Sequence, residues 1–315
     1  MPPVSVVIVT FNSSAEITRC LEALRASDLD IELIVIDNHS EDKTAELVER
    51  LLGAYPNAQF KQMPQNLGFA RAVNEGQRLA TGEYTVILNP DCYVTPATLR
   101  EMVKVMDGDA TIGMAGCLLV NEDGSEQSGC RRYVPTPWRS LMRVLQLDRI
   151  PVLRTMRMFG SFVMSQEPMP STPVEVEALS GALMMVRRKS LASVGLLDET
   201  YFMHCEDLDW CMRFRDSGWR VVFVPNARAT HVKGCSSRSR PVRVEYYKHA
   251  GMVRFYRQHF SHRYPKLLML AVFLSIWARF LVKTVVLLPE SFRAFRRNQT
   301  MRSDQLTERL GVEQR

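Results

Sequence analysis

Several absences in this chain narrow what it can be. Its most apolar stretch, Leu267 to Ala278 with Ser275 as its one polar residue, is cut off by Arg279 and Lys283 before Val285 to Leu288. About 20 apolar residues are needed to cross a bilayer, so the segment spans one only if both cations are tolerated. The seven cysteines (Cys20, Cys92, Cys117, Cys130, Cys205, Cys211 and Cys235) are odd in number and lack C-x-x-C spacing. That excludes a disulfide framework and a structural zinc site, and fits reduced thiols in a cytosolic protein. Zinc-finger spacing, an RNA-binding signature and internal repeats are missing, so no nucleic-acid partner is expected. Met1-Pro2-Pro3 runs straight into a strand pattern with no basic or cleavable leader, so the chemistry is expected to face the cytoplasm.

What is present is an ordinary globular composition, 315 residues with 46% hydrophobic and 23% charged, carrying a formal charge of +6. The positive charge is concentrated after His231, in Lys233, Arg238, Arg240, Arg243, Lys248, Arg254, Arg257, Arg263 and Lys266. With nucleic acid disfavoured, anionic lipid and phosphate-bearing substrates remain as partners.

Apolar runs at Val4–Phe11, Ile31–Ile36 and Tyr84–Leu88 predict buried strands, alternating with helical patterns at Ala15–Arg25, Thr44–Leu52 and from Asn66 to about Ala80. Asn12-Ser13-Ser14 reads as a helix N-cap. Strands alternating with helices, with little period-two pattern, predict an α/β protein with a mostly parallel sheet covered on both faces. Ligands of such sheets bind beyond the carboxyl ends of the strands, where Asn12, Asp37-Asn38 and Asn89-Pro90-Asp91 should converge. Further on, Ile112–Val120 reads as a strand and Asn121–Gly124 as a turn. Trp138–Pro173 is Met- and Arg-rich without clear period; Val174–Val186 is strand, kink, strand. Lys189–Val194 is helical with Gly195 as its C-cap, and Trp219–Val224 is a strand. Glu206-Asp207 opens a short helix in which Asp209 and Arg213, four apart, can pair. Two strand-end acids, a helix-start acid and His231 at the end of a strand-like run together suit a metal-diphosphate site with a separate base.

In order along the chain, Ser5–Asn12, Val35–Ser40, Asn66–Asn74, Leu88–Asp91, Ser180-Gly181-Ala182, Glu206–Asp209 and His231 resemble the motifs of family 2 inverting glycosyltransferases, more narrowly their bacterial rhamnosyltransferase-like branch. The resemblance covers about Pro3 to Gly234, and several ordered motifs are far more specific than one. It implies a GT-A fold, a Rossmann-like and mostly parallel central sheet flanked by helices, over residues 1–240. Residues 241–315 would then be a basic helical extension with an apolar segment at 267–288.

The resemblance also implies site roles. Asp37 would accept a hydrogen bond from a uracil- or thymine-type base, with Thr10 and Asn12 lining the pocket; a turn acid and a cap are the plainer readings. Asn66, Gly68 and Arg71 would contact the donor, Gly68 through close backbone approach and Arg71 by offsetting diphosphate charge. Asn89-Pro90-Asp91 stands where the family has Asp-x-Asp. Asp91 with His231 would hold Mg²⁺ or Mn²⁺, and Asn89, being neutral, suits a ribose contact. Asp207 would be the general base and Glu206 would orient it or the acceptor; stabilising a helix dipole, worth roughly 0.3–1 kcal/mol each, is the plainer reading of both acids.

The expected activity is transfer of a sugar, L-rhamnose foremost, from a dTDP- or UDP-sugar to a hydroxyl of a lipid-linked glycan. The enzyme would be attached peripherally to the inner face of the cytoplasmic membrane, the apolar segment lying in the interface between Trp277 and Arg293, Arg296 and Arg297. Alternatively that segment packs on the catalytic domain or on a second copy, as a homodimer. A non-catalytic nucleotide-sugar-binding scaffold is supported only by Asn89. A sugar-nucleotide pyrophosphorylase would need a Gly-rich basic loop after the first strand, unlike Thr10-Phe11-Asn12-Ser13. A processive synthase would need several spans and Gln-x-x-Arg-Trp, both missing.

Overall fold

A computed structural model describes residues 4–144, 164–232 and 241–309. In chain order the elements are β1 (Val4–Thr10), α1 (Ile17–Arg25), β2 (Ile31–Asp37), α2 (Thr44–Leu52), β3 (Ala58–Gln62), α3 (Phe69–Leu79), β4 (Tyr84–Leu88) and β5 (Cys92–Val94). There follow α4 (Thr98–Gly108), β6 (Ile112–Val120), β7 (Arg131–Arg132), α5 (Pro137–Val144), β8 (Val174–Glu175), β9 (Ala178–Leu179) and β10 (Leu183–Arg187). The chain closes with α6 (Leu191–Val194), α7 (Glu206–Asp216), β11 (Arg220–His231), α8 (Pro241–Phe260) and α9 (Lys266–Arg309). Lys233, Gly234, Arg238, Arg240 and the centre of the Met- and Arg-rich stretch lie outside the described residues, as do the side chains of Arg293, Arg296 and Arg297.

The main sheet runs β3-β2-β1-β4-β10-β6-β11-β5, with β8 also paired to β11. β1 is parallel to both β2 and β4, and β6 is parallel to β11, whereas β10 inserts antiparallel between β4 and β6. Every residue of β1, β4 and β6 is buried, as two-sided cover by helices requires. Register then places the chemistry: Thr10 lies opposite Asp37, and His231 opposite Cys92, one residue after Asp91.

Three local expectations change. Asn12 does not cap α1, which starts at Ile17 after Glu16. Asn12 is itself left-handed (φ 51) and its Oδ1 accepts the Glu41 N–H at 2.8 Å, tying the β1 loop to the β2 loop. The edge strand β3 was not anticipated, because its alternately exposed Ala-Gln-Phe-Lys-Gln has no apolar run. The run ending at Val224 and the one closing at His231 are a single strand, β11, continued across a register shift between Val224 and Arg228.

Helix α8 buries Phe255, Tyr256 and Phe260 in the same core as the sheet. α9 contributes Met269 and Val272 there but leaves Leu267, Leu270, Leu274, Leu281, Val282, Val285 and Val286 exposed. Its stretch Lys266–Leu288, 23 residues of mean hydropathy 1.9 with 6% of the window buried, is long and apolar enough to cross a membrane.

Candidate active site

Asp37 ends β2 fully buried, and its carboxylate is saturated by the protein. Oδ1 accepts from Thr10 Oγ1 (2.9 Å) and Ser40 Oγ (2.5 Å), and Oδ2 accepts from the Ser40 N–H (2.9 Å) and Gln62 Nε2 (3.2 Å). A carboxylate offers about four lone-pair sites, so a further donor must replace one of these, and Gln62 makes the longest bond. Asn38 clamps the next loop: its Nδ2 donates to Asn66 Oδ1 and to the Gly68 carbonyl, both at 3.1 Å, and its Oδ1 accepts the Leu67 N–H at 3.0 Å.

Gly68 has φ +92, and a Cβ there would sit 2.6 Å from the Phe202 carbonyl oxygen, which also accepts the Phe69 N–H at 2.7 Å. The close approach that glycine permits is therefore to the loop preceding α7, joining the two halves of the site. Arg71, half exposed, is paired with Glu199 (3.1 Å), which also takes Arg78 (2.9 Å) and Asn74 (3.1 Å).

Asn89-Pro90-Asp91 is the tight turn its sequence suggests: Cys92 N–H donates to the Asn89 carbonyl (3.1 Å), and Asn89 N–H to the Ala182 carbonyl (2.9 Å). Asp91 and His231 are both buried and face each other, Oδ1 to Nε2, at 3.2 Å. Gln127, unanticipated from sequence, decides what that contact means. Its Nε2 donates to the His231 carbonyl (2.9 Å) and to Asn121 Oδ1 (3.1 Å), so its Oε1, 2.6 Å from His231 Nδ1, is the acceptor there. The proton thus sits on Nδ1, and in the neutral ring Nε2 turns a lone pair toward Asp91, whose Oδ1 makes no hydrogen bond among the described residues. Two buried acceptors so opposed, with the histidine oriented by a further hydrogen bond, are a fitting donor pair for a divalent cation. No cluster of three or more His, Cys, Asp or Glu suited to a metal occurs among the described residues. The remaining ligands would come from water and substrate phosphate, as is usual for Mg²⁺.

The acids of α7 stand across the sheet edge. Asp207 Oδ2 is ion-paired with Arg132 and accepts the Gly181 N–H (3.2 Å), while Oδ1 accepts the Leu208 N–H (2.8 Å). A Cβ on Gly181 would approach Asp207 Cβ to 3.3 Å, so the Ser-Gly-Ala motif is the floor on which this carboxylate rests. Burial would lower the Arg132 pKa, but the Asp207 charge overrides it and raises it. Glu206 is buried with Oε2 unpartnered among the described residues; burial first, then the Asp207 charge, pushes its pKa up to about 8. His204 and Cys205 lead into the helix with φ of 65° and 69°, two consecutive left-handed non-glycine residues held against α8. A Cβ on Gly251 of α8 would come within 2.8 Å of the His204 carbonyl. Burial, then Lys248, lowers the His204 pKa to about 4. The expected Asp209–Arg213 pair forms at 2.8 Å, and His259 Nε2 completes it at 2.8 Å from the other oxygen, anchoring α7 from behind.

Helices on both faces of a mostly parallel sheet, with these polar groups at its carboxyl edge, define a GT-A type glycosyltransferase fold. The mannosyltransferase of Pyrobaculum calidifontis, solved with GDP-Man and Mn²⁺, superposes over 95% of this chain and 75% of its own (TM-score 0.56, 19% identity). TarS of S. aureus superposes over 89% and 43% (TM-score 0.53, 19% identity). The profile of glycosyl transferase family 2 matches residues 5–194, and the chain belongs to that family. It is 29% identical over 245 residues to the N-acetylglucosaminyl-diphospho-decaprenol L-rhamnosyltransferase of Mycobacterium tuberculosis H37Rv, covering 74% of this chain and 76% of that one. It is 27% identical over 241 residues to the rhamnosyltransferase WbbL of Escherichia coli K12, covering 75% and 86%.

Proposed function

We propose that this glycosyltransferase is an inverting enzyme that moves L-rhamnose from a dTDP- or UDP-sugar to a hydroxyl of a lipid-linked, diphosphate-bearing glycan during cell-surface polysaccharide synthesis. The observation that supports the reading is the neighbourhood of two acidic groups. Ala182 accepts the Asn89 N–H beside the Asp91–His231 pair, and the adjoining Gly181 N–H donates to Asp207, which suits the former pair to a leaving diphosphate and Asp207 to the acceptor. The names of the M. tuberculosis and E. coli relatives support the sugar, and the former supports the acceptor.

In this mechanism Thr10, Asp37, Asn38 and Asn66 form the nucleotide wall, the base displacing Gln62 from Asp37, and Asn89 meets the ribose. Asp91 Oδ1 and His231 Nε2 would hold Mg²⁺ or Mn²⁺, which neutralises charge on the departing diphosphate. Asp207 takes the proton from the acceptor hydroxyl as its oxygen attacks the anomeric carbon opposite the leaving group, so the centre inverts. Arg132 and the Gly181 N–H keep that carboxylate aimed, and buried Glu206 orients the acceptor hydroxyl.

The exposed apolar face of α9 would rest on the cytoplasmic leaflet, making the enzyme a peripheral membrane protein whose catalytic unit includes α8. The test is turnover of a panel of nucleotide sugars by the purified full chain with a short-chain lipid-diphospho-N-acetylglucosamine acceptor, the product anomer being read by NMR. An inverted rhamnoside is expected. A retained anomer would overturn the mechanism, and binding without turnover of any donor would make the protein a nucleotide-sugar scaffold.

A further inference from the structure

Beyond the sheet edge, a cleft of about 560 Å³ opens between the chain after β7, the C-terminal half of α7 and the α8–α9 junction. This is within the size range of small-molecule sites. Among the described residues, Arg139, Arg215 and Arg263 line it with Glu177 as the one acid. Glu177 is already committed, accepting from Arg139 Nη1 and from the Val134 N–H, both at 2.7 Å. Arg215 and Arg263 have no carboxylate partner among the described residues, so the cleft keeps a surplus of positive charge facing an apolar wall that includes Phe260 and Leu268. Guanidinium groups left so match the fork geometry of phosphate oxygens.

Two further placements say what kind of phosphate. Leu268 belongs to the first turn of α9, so the cleft opens onto the helix whose Leu267 is 82% and Leu274 62% exposed. On its other side the cleft wall is continuous in the chain with the residues around Asp207. Arg132, the Asp207 partner, leads directly into Val134, Thr136 and Arg139 of the cleft wall. Along α7, Asp207 precedes Arg215 by eight residues, about 12 Å at 1.5 Å per residue. One sugar ring and its anomeric phosphates span such a gap.

We propose that this cleft anchors the acceptor by its diphosphate, held by Arg215 and Arg263, with the prenyl chain lying along the exposed face of α9 and the sugar hydroxyl delivered to Asp207. The inference rests on the lipid-linked acceptor proposed above. It adds the site and explains why an anionic head and an apolar path adjoin at one place.

The test uses the full-length protein and the variants Arg215→Glu and Arg263→Glu; both residues are surface-exposed, so a thermal melt should be unchanged. A fluorescent short-chain polyprenyl diphosphate without sugar should bind wild type and lose at least tenfold in affinity in either variant, while nucleotide binding holds. In turnover, the same variants should raise KM at least tenfold for the diphosphate-linked acceptor and leave an alkyl glycoside acceptor unaffected. The binding arm needs neither donor nor turnover, so it reports on the cleft even if rhamnosyl transfer fails. Undiminished probe binding in both variants would overturn the proposal. So would equal competition by phosphatidylglycerol vesicles, which marks a general headgroup site, or inorganic pyrophosphate binding as tightly as the prenyl probe, which marks a free-phosphate site. If a charge reversal alters the melt, Arg215→Gln and Arg263→Gln are read instead.

Discussion

The guanidinium of Arg132, from the short strand β7, is ion-paired to Asp207 Oδ2 at the first turn of α7, and the same guanidinium donates to the Leu179 carbonyl at 2.9 Å. The side chains are 75 residues apart in sequence. Asp207→Asn should keep nucleotide affinity while transfer falls by about 10²–10⁴, the usual contribution of a general base, and should cost some stability because Arg132 loses its counter-charge. Steady-state kinetics beside nucleotide titration decide this; transfer within a few-fold of wild type would sink the assignment. Arg132→Met should instead lower stability by about 3 kcal/mol, because it strands a mostly buried carboxylate, and a denaturant melt reads that loss.

Gln127 fixes which nitrogen of His231 faces Asp91. Gln127→Ala should weaken Mn²⁺ binding by roughly 10–100-fold, the usual effect of losing such an outer partner, and Asp91→Ala should weaken it further. Electron paramagnetic resonance titration of Mn²⁺ measures both. Full transfer in excess chelator would refute the metal site and shift the diphosphate charge onto arginines.

Glu206 should make stability fall as pH rises. Its folded pKa, about 8, lies above the unfolded carboxyl value, so the folded state holds the extra proton between them. Linkage then makes unfolding easier as pH climbs through that window. Glu206→Gln removes the titration, so its stability relative to wild type should grow from pH 5 to pH 8. Parallel pH profiles of the two melts would contradict this.

Leu281, Val282, Val285 and Val286 touch water. Replacing all four by Gln should leave the melt of the catalytic core unchanged but release the protein from anionic liposomes. Residual attachment should be salt-sensitive, since basic residues near such a surface each contribute about 1 kcal/mol. Co-sedimentation checks it; unchanged partitioning would leave α9 as a packing or dimerisation element.

Reading the chain alone located β1, β2, β4, β6, the bounds of α2 and the acid-led α7, because buried parallel strands are largely apolar runs that end in polar residues. The Asp209–Arg213 pair was legible because helical spacing makes it local. β3 was not, since an edge strand of Ala-Gln-Phe-Lys-Gln carries no burial signal.

Sequence by itself thus determined the α/β class, the order of the motifs and the residue types at the strand ends, all written in spacings of a few residues. Only the tertiary structure decided which groups meet. It brought Gln127 to His231 across 104 positions and Arg132 to Asp207, and set Phe202 against Gly68. It also saturated Asp37 with four donors and paired Arg71 with Glu199. Such contacts depend on strand order and helix packing, and the energy that selects them is burial shared over the whole core, which no local spacing records.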